Sequence, residues 1–147
     1  MAYTPPEKKQ NNDDLNKLMF ERVMPQALDL EEVVLGAAML EKEAFSNISE
    51  KLRPNSFYLQ AHQEIFQVMM DLFANSKPID ILTVHEELRK RGQLEGIGGV
   101  NYLMEITNKV SSSANIEYHA HIILQKFIQR ELITAVSYTH LTLPTKA

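Results

Sequence analysis

From Leu28 to Val136 the apolar residues of this chain return at steps of three and four, and no alternating apolar and polar run competes with them. That period lines side chains along one face of an α-helix, whereas a half-buried strand needs a period of two. The expected fold class is therefore all-α: a compact bundle of about six helices, the last one long. A length of 147 residues suits one domain, and 44% hydrophobic against 23% charged residues supplies one sizeable core.

The punctuation between the periodic stretches sets the element boundaries. Residues 1–25, with Pro5-Pro6 and Asn11-Asn12-Asp13-Asp14, read as a flexible N-terminal arm. Asp29 with Glu32 three residues on has the form of a capping box, and Leu30, Val33, Val34, Ala37 and Leu40 follow at helical spacing. Gly36 lowers helix propensity there but leaves room for a close neighbour. A short helix is expected from Ala44 to Leu52 with Phe45 and Ile48 inward, stopped by Arg53-Pro54-Asn55. The next runs from Tyr58 to Ala74, its inner face His62, Ile65, Phe66, Met69 and Phe73. Asp80 caps a fourth, with Ile81, Val84 and Leu88 inward, and Gly92 stops it. Gly96-Ile97-Gly98-Gly99 is expected as a turn before a fifth helix marked by Val100, Leu103, Met104 and Thr107.

The last helix is expected from Ala114 to Val136, with Asn115 or a nearby serine as its cap. Ile116, Ala120, Ile123 and Phe127 form one stripe; Leu124, Ile128, Leu132 and Ala135 form a second, rotated about the axis. A helix apolar over so much of its girth is buried on two sides, and in a domain this small the second side points to another subunit. Beyond Ser137 the string to Ala147 shows no helical period and reads as a vector-encoded tail over 137–147, outside the domain of residues 26–136.

Several chemistries fail on composition or spacing. The chain has no cysteine, which removes disulfides, thiolate catalysis and cysteine zinc sites and fits a reducing compartment. His85-Glu86-Glu87-Leu88-Arg89 starts like a zinc protease motif but has Arg where the second ligand belongs. His119 and His121, two apart on a helix, point to nearly opposite sides and cannot share an ion. His62 reads as a hydrogen-bonded core residue rather than a ligand. The glycines at 96–99 lack the phosphate-loop pattern, and Ser111 to Ser113 have no nucleophile-elbow context. Glu31-Glu32 and Glu86-Glu87 read as neighbours on solvated helix faces rather than facing catalytic pairs. A net charge of −4, with six acidic residues against two lysines between Asp29 and Leu52, argues against a surface that grips nucleic acid. Arg89-Lys90-Arg91 falls at the end of its helix, where it complements the dipole, and not at the start, where a recognition helix reads bases.

The string Pro25-Gln26-Ala27-Leu28-Asp29-Leu30-Glu31-Glu32-Val33-Val34-Leu35-Gly36-Ala37-Ala38-Met39-Leu40 resembles the opening of bacterial replicative DNA helicases of the DnaB family. The similarity continues through Phe57-Tyr58, His62 with Ile65-Phe66, Pro78-Ile79-Asp80 with Leu82-Thr83, and Gly92-Gln93-Leu94-Glu95 with Gly98-Gly99 and Tyr102-Leu103. Its last block is Ala114-Asn115-Ile116-Glu117-Tyr118-His119-Ala120, where His119 departs from the family's usual Tyr. Together the blocks span residues 25–135, and their order and spacing are specific where each alone is weak.

The resemblance implies the N-terminal domain of a hexameric, ATP-driven helicase that unwinds duplex DNA at the replication fork of the bacterial cytoplasm. It implies a compact helical head followed by the first helix of a hairpin, pairing of such domains through the hairpins, and a docking surface for primase. A helicase loader is a further partner that it allows. ATP and magnesium belong to a C-terminal motor with a P-loop, a motif this sequence does not contain, so no catalytic residue, metal or cofactor is expected in this segment. DNA would be bound by the full-length protein rather than mainly here, and no membrane is involved. The residues expected to meet another subunit are Leu124, Ile128 and Leu132, with Tyr118 and Ile122 beside them; the competing reading is that they complete the domain's own core. A helical DNA-binding adaptor and an unrelated small helical enzyme remain the alternatives.

Overall fold

The computed structural model describes residues 24–112 and 115–142, with side chains placed through Ser137. The arm expected over residues 1–25 lies outside the described residues except for its last two positions. Among the described residues there are seven α-helices, one 3₁₀ turn and no strand: α1 (Leu28–Leu40), α2 (Ala44–Ser49), η1 (Pro54–Ser56), α3 (Gln60–Ala74), α4 (Ile81–Lys90), α5 (Leu94–Ile97), α6 (Gly99–Asn108) and α7 (Ile116–Thr142). The element beyond the expected six is α5, a single helical turn where the glycine cluster reads as loop.

α1 is the central helix, packed against α2, α3, α6 and α7. Its small residues make this possible. A Cβ at Gly36 would stand 2.3 Å from the Ile106 carbonyl oxygen, so α6 crosses α1 at a distance only glycine permits. Phe45, Phe57 and Phe66 close the core below it, with ring centroids 5.4 Å apart for Phe45 and Phe66 and 5.0 Å for Phe57 and Phe66. Such tilted aromatic pairs add to the area they bury.

The caps divide into one expected and one not. Asp80 Oδ1 accepts the Thr83 amide at 2.8 Å while the Thr83 hydroxyl oxygen accepts the Asp80 amide at 3.0 Å, a reciprocal cap for α4. Asp29, by contrast, caps nothing. α1 starts a residue earlier, Ala27 takes the cap position without a side-chain bond, and Asp29 sits exposed in the first turn. Glu32, the other half of the expected box, turns inward instead.

Two further expectations change. Phe73 continues the inner stripe of α3 by spacing yet is 51% exposed in the helix's last turn, with its ring 5.3 Å from that of the buried Phe45. α7 does not stop at Val136 but runs 27 residues to Thr142. Lengthening an existing helix adds one hydrogen bond per residue fixed, and no glycine or proline interrupts it before Pro144. At 1.5 Å per residue α7 is about 40 Å long, and beyond Arg130 every described side chain on it is exposed.

Candidate functional site

The two stripes of α7 part company in the structure. Ile116, Ala120 and Ile123 are buried against the head, and Phe127 is half-buried. Of the residues expected at an interface, Leu124 packs partly on the core and Ile122 is half-buried, while Tyr118 is 65%, Ile128 47% and Leu132 61% exposed. Ile133 and Val136 are exposed as well. Leu124, Ile128, Leu132 and Val136 follow one another at four-residue steps, so they form a single row whose solvent-facing part widens away from the head. Ala135, which the sequence pattern places in the same stripe, is exposed too. Only Leu124 of this row packs against the head's core. Apolar side chains left exposed on a protein surface are ordinarily scattered singly, whereas these are contiguous along one helix face.

Arg130 fixes where that row leaves the head. Its side chain falls on the period of the buried stripe, three residues after Phe127, and is itself buried. Nη1 donates to the Pro25 carbonyl and Nη2 to the Ser56 carbonyl, each at 2.8 Å, and the guanidinium lies 5.3 Å from the centre of the Tyr58 ring and 5.9 Å from that of Phe127. Burial lowers its proton affinity from the ordinary arginine value, and the nearby Glu31 carboxylate opposes that shift. One residue thus ties α7 to η1 and to the segment entering α1.

A buried polar chain underlies this corner. His62 Nδ1 lies 2.8 Å from Glu31 Oε1, and Glu31 Oε2 accepts the Tyr58 amide at 3.0 Å. On the other side His62 Nε2 lies 2.6 Å from the Tyr102 hydroxyl, which stands 3.3 Å from Glu32 Oε2. Lys109 Nζ closes the chain on both Glu32 oxygens at 3.0 Å. The hydroxyl has one proton and two acceptors within reach. With a neutral ring, Nδ1 donates to Glu31 and the hydroxyl donates to Nε2; with both ring nitrogens protonated, the hydroxyl proton turns to Glu32. Burial, and after it the Glu32 charge, pushes the Tyr102 phenol well above its ordinary range, while the bond to Glu32 raises Lys109. Gly98, at φ +110°, makes the turn that starts α6 and brings its backbone close under the Tyr102 side chain.

The reading of His62 as a bonded core residue is correct; it is 1% exposed. The reading of Glu31-Glu32 as solvated is not, since they are 1% and 9% exposed. The signal that identifies them was present: Glu31 shares a helical face with Leu35 and Ala38, and Glu32 with Leu35 and Met39. Arg130 carries the same signal on α7. The basic run of α4 is tied down, Arg89 to Glu86 at 2.5 Å and Arg91 to Asp71 at 2.7 Å and Glu87 at 3.1 Å, so two of its three cations are matched by carboxylates. No described helix is long and apolar enough to cross a membrane.

The fold defines a class: an all-helical head domain from which one long helix projects with apolar side chains exposed. A family model described as the DnaB-like helicase N terminal domain matches residues 23–125. The chain belongs to this DnaB N-terminal domain family. It is 49% identical over 109 residues to the replicative DNA helicase DnaB of Rhodothermus marinus, covering 74% of this chain and 12% of the relative. It is 44% identical over 124 residues to DnaB of Geobacillus stearothermophilus, covering 84% of this chain and 27% of that one. The chain therefore spans roughly a quarter or less of the length of these curated relatives. Among solved structures it is similar to the N-terminal domain of DnaB helicase from Mycobacterium tuberculosis, with a TM-score of 0.78 at 38% identity over 80% of this chain and 86% of that one. The N-terminal domain of DnaB helicase from Helicobacter pylori, described with its interactions with primase, shares the fold at a TM-score of 0.63 and 19% identity over 76% of this chain and 87% of that one.

Proposed function

We propose that this chain is the N-terminal assembly and primase-docking domain of a hexameric, ATP-dependent replicative helicase that unwinds duplex DNA at the replication fork. The observation that carries the reading is the open apolar row of α7 on a head of the DnaB N-terminal fold. That row is a surface for a second copy, and its residues Ile128 and Leu132, with Tyr118, Ile122 and Leu124 beside them, are the contacts. Two copies burying such rows would gain about 25 cal/mol for each Å² of apolar surface removed from water. The chemistry of unwinding, with ATP and magnesium, belongs to the motor domain of the full protein, and this segment contributes pairing and docking. Primase is the docking partner, in keeping with the interactions described for the Helicobacter domain; a helicase loader is a second. The bacterial cytoplasm is where such a machine works.

The test is sedimentation of the chain with purified primase from the same organism. A complex at tens of micromolar protein is the expected result. Free migration of both proteins under those conditions would overturn the docking role. DNA binding with a steep salt slope in the isolated chain would instead favour the adaptor reading.

A further inference from the structure

Arg130 is a charge at the end of an apolar stripe. Ile116, Ala120, Ile123 and Phe127 precede it on the head-facing side of α7, and an apolar side chain in its place would extend the core with no charge to desolvate. The arginine is nevertheless 7% exposed, and its hydrogen bonds among the described residues go to the backbone carbonyls of Pro25 and Ser56. A guanidinium buried in this way adds little net stability, but its planar fork adds direction.

Pro25 precedes α1 and Ser56 lies in η1, so one rigid group spans two separate parts of the head. Apolar packing is non-directional and lets a helix shift at small cost, whereas a hydrogen bond weakens steeply once its angle is lost. The lever beyond is long. Val136 lies about 20 Å along α7 from Ile123, the last fully buried apolar residue described on that helix. A tilt of about 10° at Ile123 would carry Val136 about 3 Å sideways, enough to break apolar contacts made at about 4 Å. Ile128 and Leu132 stand two residues to either side of Arg130 and therefore point away from it, so the clamp lies directly behind the middle of the open row.

Resting on the pairing reading above, we infer that Arg130 is a positioning residue for self-association: it holds the distal half of α7 in one direction, so that two copies meet with their apolar rows aligned. Without it the helix stays formed but swings about Ile123, and each copy must give up that freedom on pairing.

The chain has no cysteine, so nitroxide labels can be placed at two exposed positions, Lys90→Cys on the head and Ser137→Cys on α7. Their distance distribution is recorded by pulsed electron paramagnetic resonance in the Ile128→Asp background, which removes pairing, and association is measured by sedimentation of the unlabelled chain. A narrow distribution is expected with Arg130, and a broader one in Arg130→Met and in Arg130→Lys, which keeps the charge but not the fork. Both variants are expected to pair about tenfold more weakly at unchanged helix content. Val84→Ala, a core substitution outside the clamp, is expected to lower the melting temperature and to move neither readout. An equally narrow distribution in both Arg130 variants, or an unchanged dissociation constant, overturns the proposal. So do matching changes in Val84→Ala, which would make the effect one of stability alone. A wild type that never pairs overturns the pairing reading and the alignment of rows with it, while a distribution that still broadens supports Arg130 as the clamp of α7.

Discussion

At the scale of single residues, Glu31 is the one on which most of the head's polar interior depends. A carboxylate 1% exposed would be costly alone, and it is tolerated because His62 and the Tyr58 amide both approach it within hydrogen-bond distance. Glu31→Ala strands the buried His62 ring and the half-buried Tyr58 amide, and the expected loss is about 3 kcal/mol, read as a fall in the urea midpoint at constant slope. Tyr102 makes the prediction for pH. Its folded phenol holds its proton past the ordinary value near 10, whereas the unfolded chain releases it there. The unfolded state thus binds fewer protons than the native state above about pH 10, so stability falls as pH rises through the folded value. Lys109, raised by Glu32, works in the same direction. Urea midpoints measured from neutral to strongly alkaline pH should decline in the wild type and decline less steeply in Tyr102→Phe, from a lower starting stability. Parallel declines would show that Tyr102 is not the group involved.

At the scale of elements, Gly36 separates intrinsic preference from packing. Replacing glycine by alanine inside a helix ordinarily stabilises by about 1 kcal/mol. Here the added Cβ would meet the Ile106 carbonyl oxygen at 2.3 Å and Val110 Cγ2 at 2.8 Å, and backbone cannot yield as a side chain can. Gly36→Ala is therefore expected to destabilise by about 2–3 kcal/mol, seen as a lower melting temperature with helix content retained in the folded state. The order of the helices other than α5 was legible from periodicity, and the Asp80 cap from its place between Pro78 and an apolar run at helical spacing. Asp29 stood before a similar run and failed, because a buried network had already claimed the glutamate three residues on. Periodicity reports which face is apolar; it does not report which of two adjacent carboxylates a distant lysine or histidine will take. Phe73 and the end of α7 were misread for a related reason. Whether a neighbour covers the last turn of a helix, or how far a helix continues past its neighbours, is decided by tertiary packing that no local pattern records.

At the scale of the whole molecule, the head is closed and the long helix is open. Arg130 marks the boundary: before it one stripe of α7, with Ile116, Ala120 and Ile123, is buried in the core, and after it every described side chain of α7 meets solvent. The apolar girth of α7 was legible in the sequence, as was the exposure of Ile128 and Leu132 once the head's own stripe was assigned. The place of Arg130 on the buried stripe was legible as well, but its two carbonyl partners were not, since Pro25 and Ser56 lie far away in sequence. Because Ile128 is 47% exposed and outside the core, Ile128→Asp should leave the fold intact and act only on association. The decisive measurement is analytical ultracentrifugation of the full chain and of Ile128→Asp over a wide concentration range, with circular dichroism alongside. The account predicts a reversible dimer for the wild type and a monomer of unchanged helix content for the variant. A wild type that stays monomeric throughout, or a variant that pairs as well as the wild type, would contradict it.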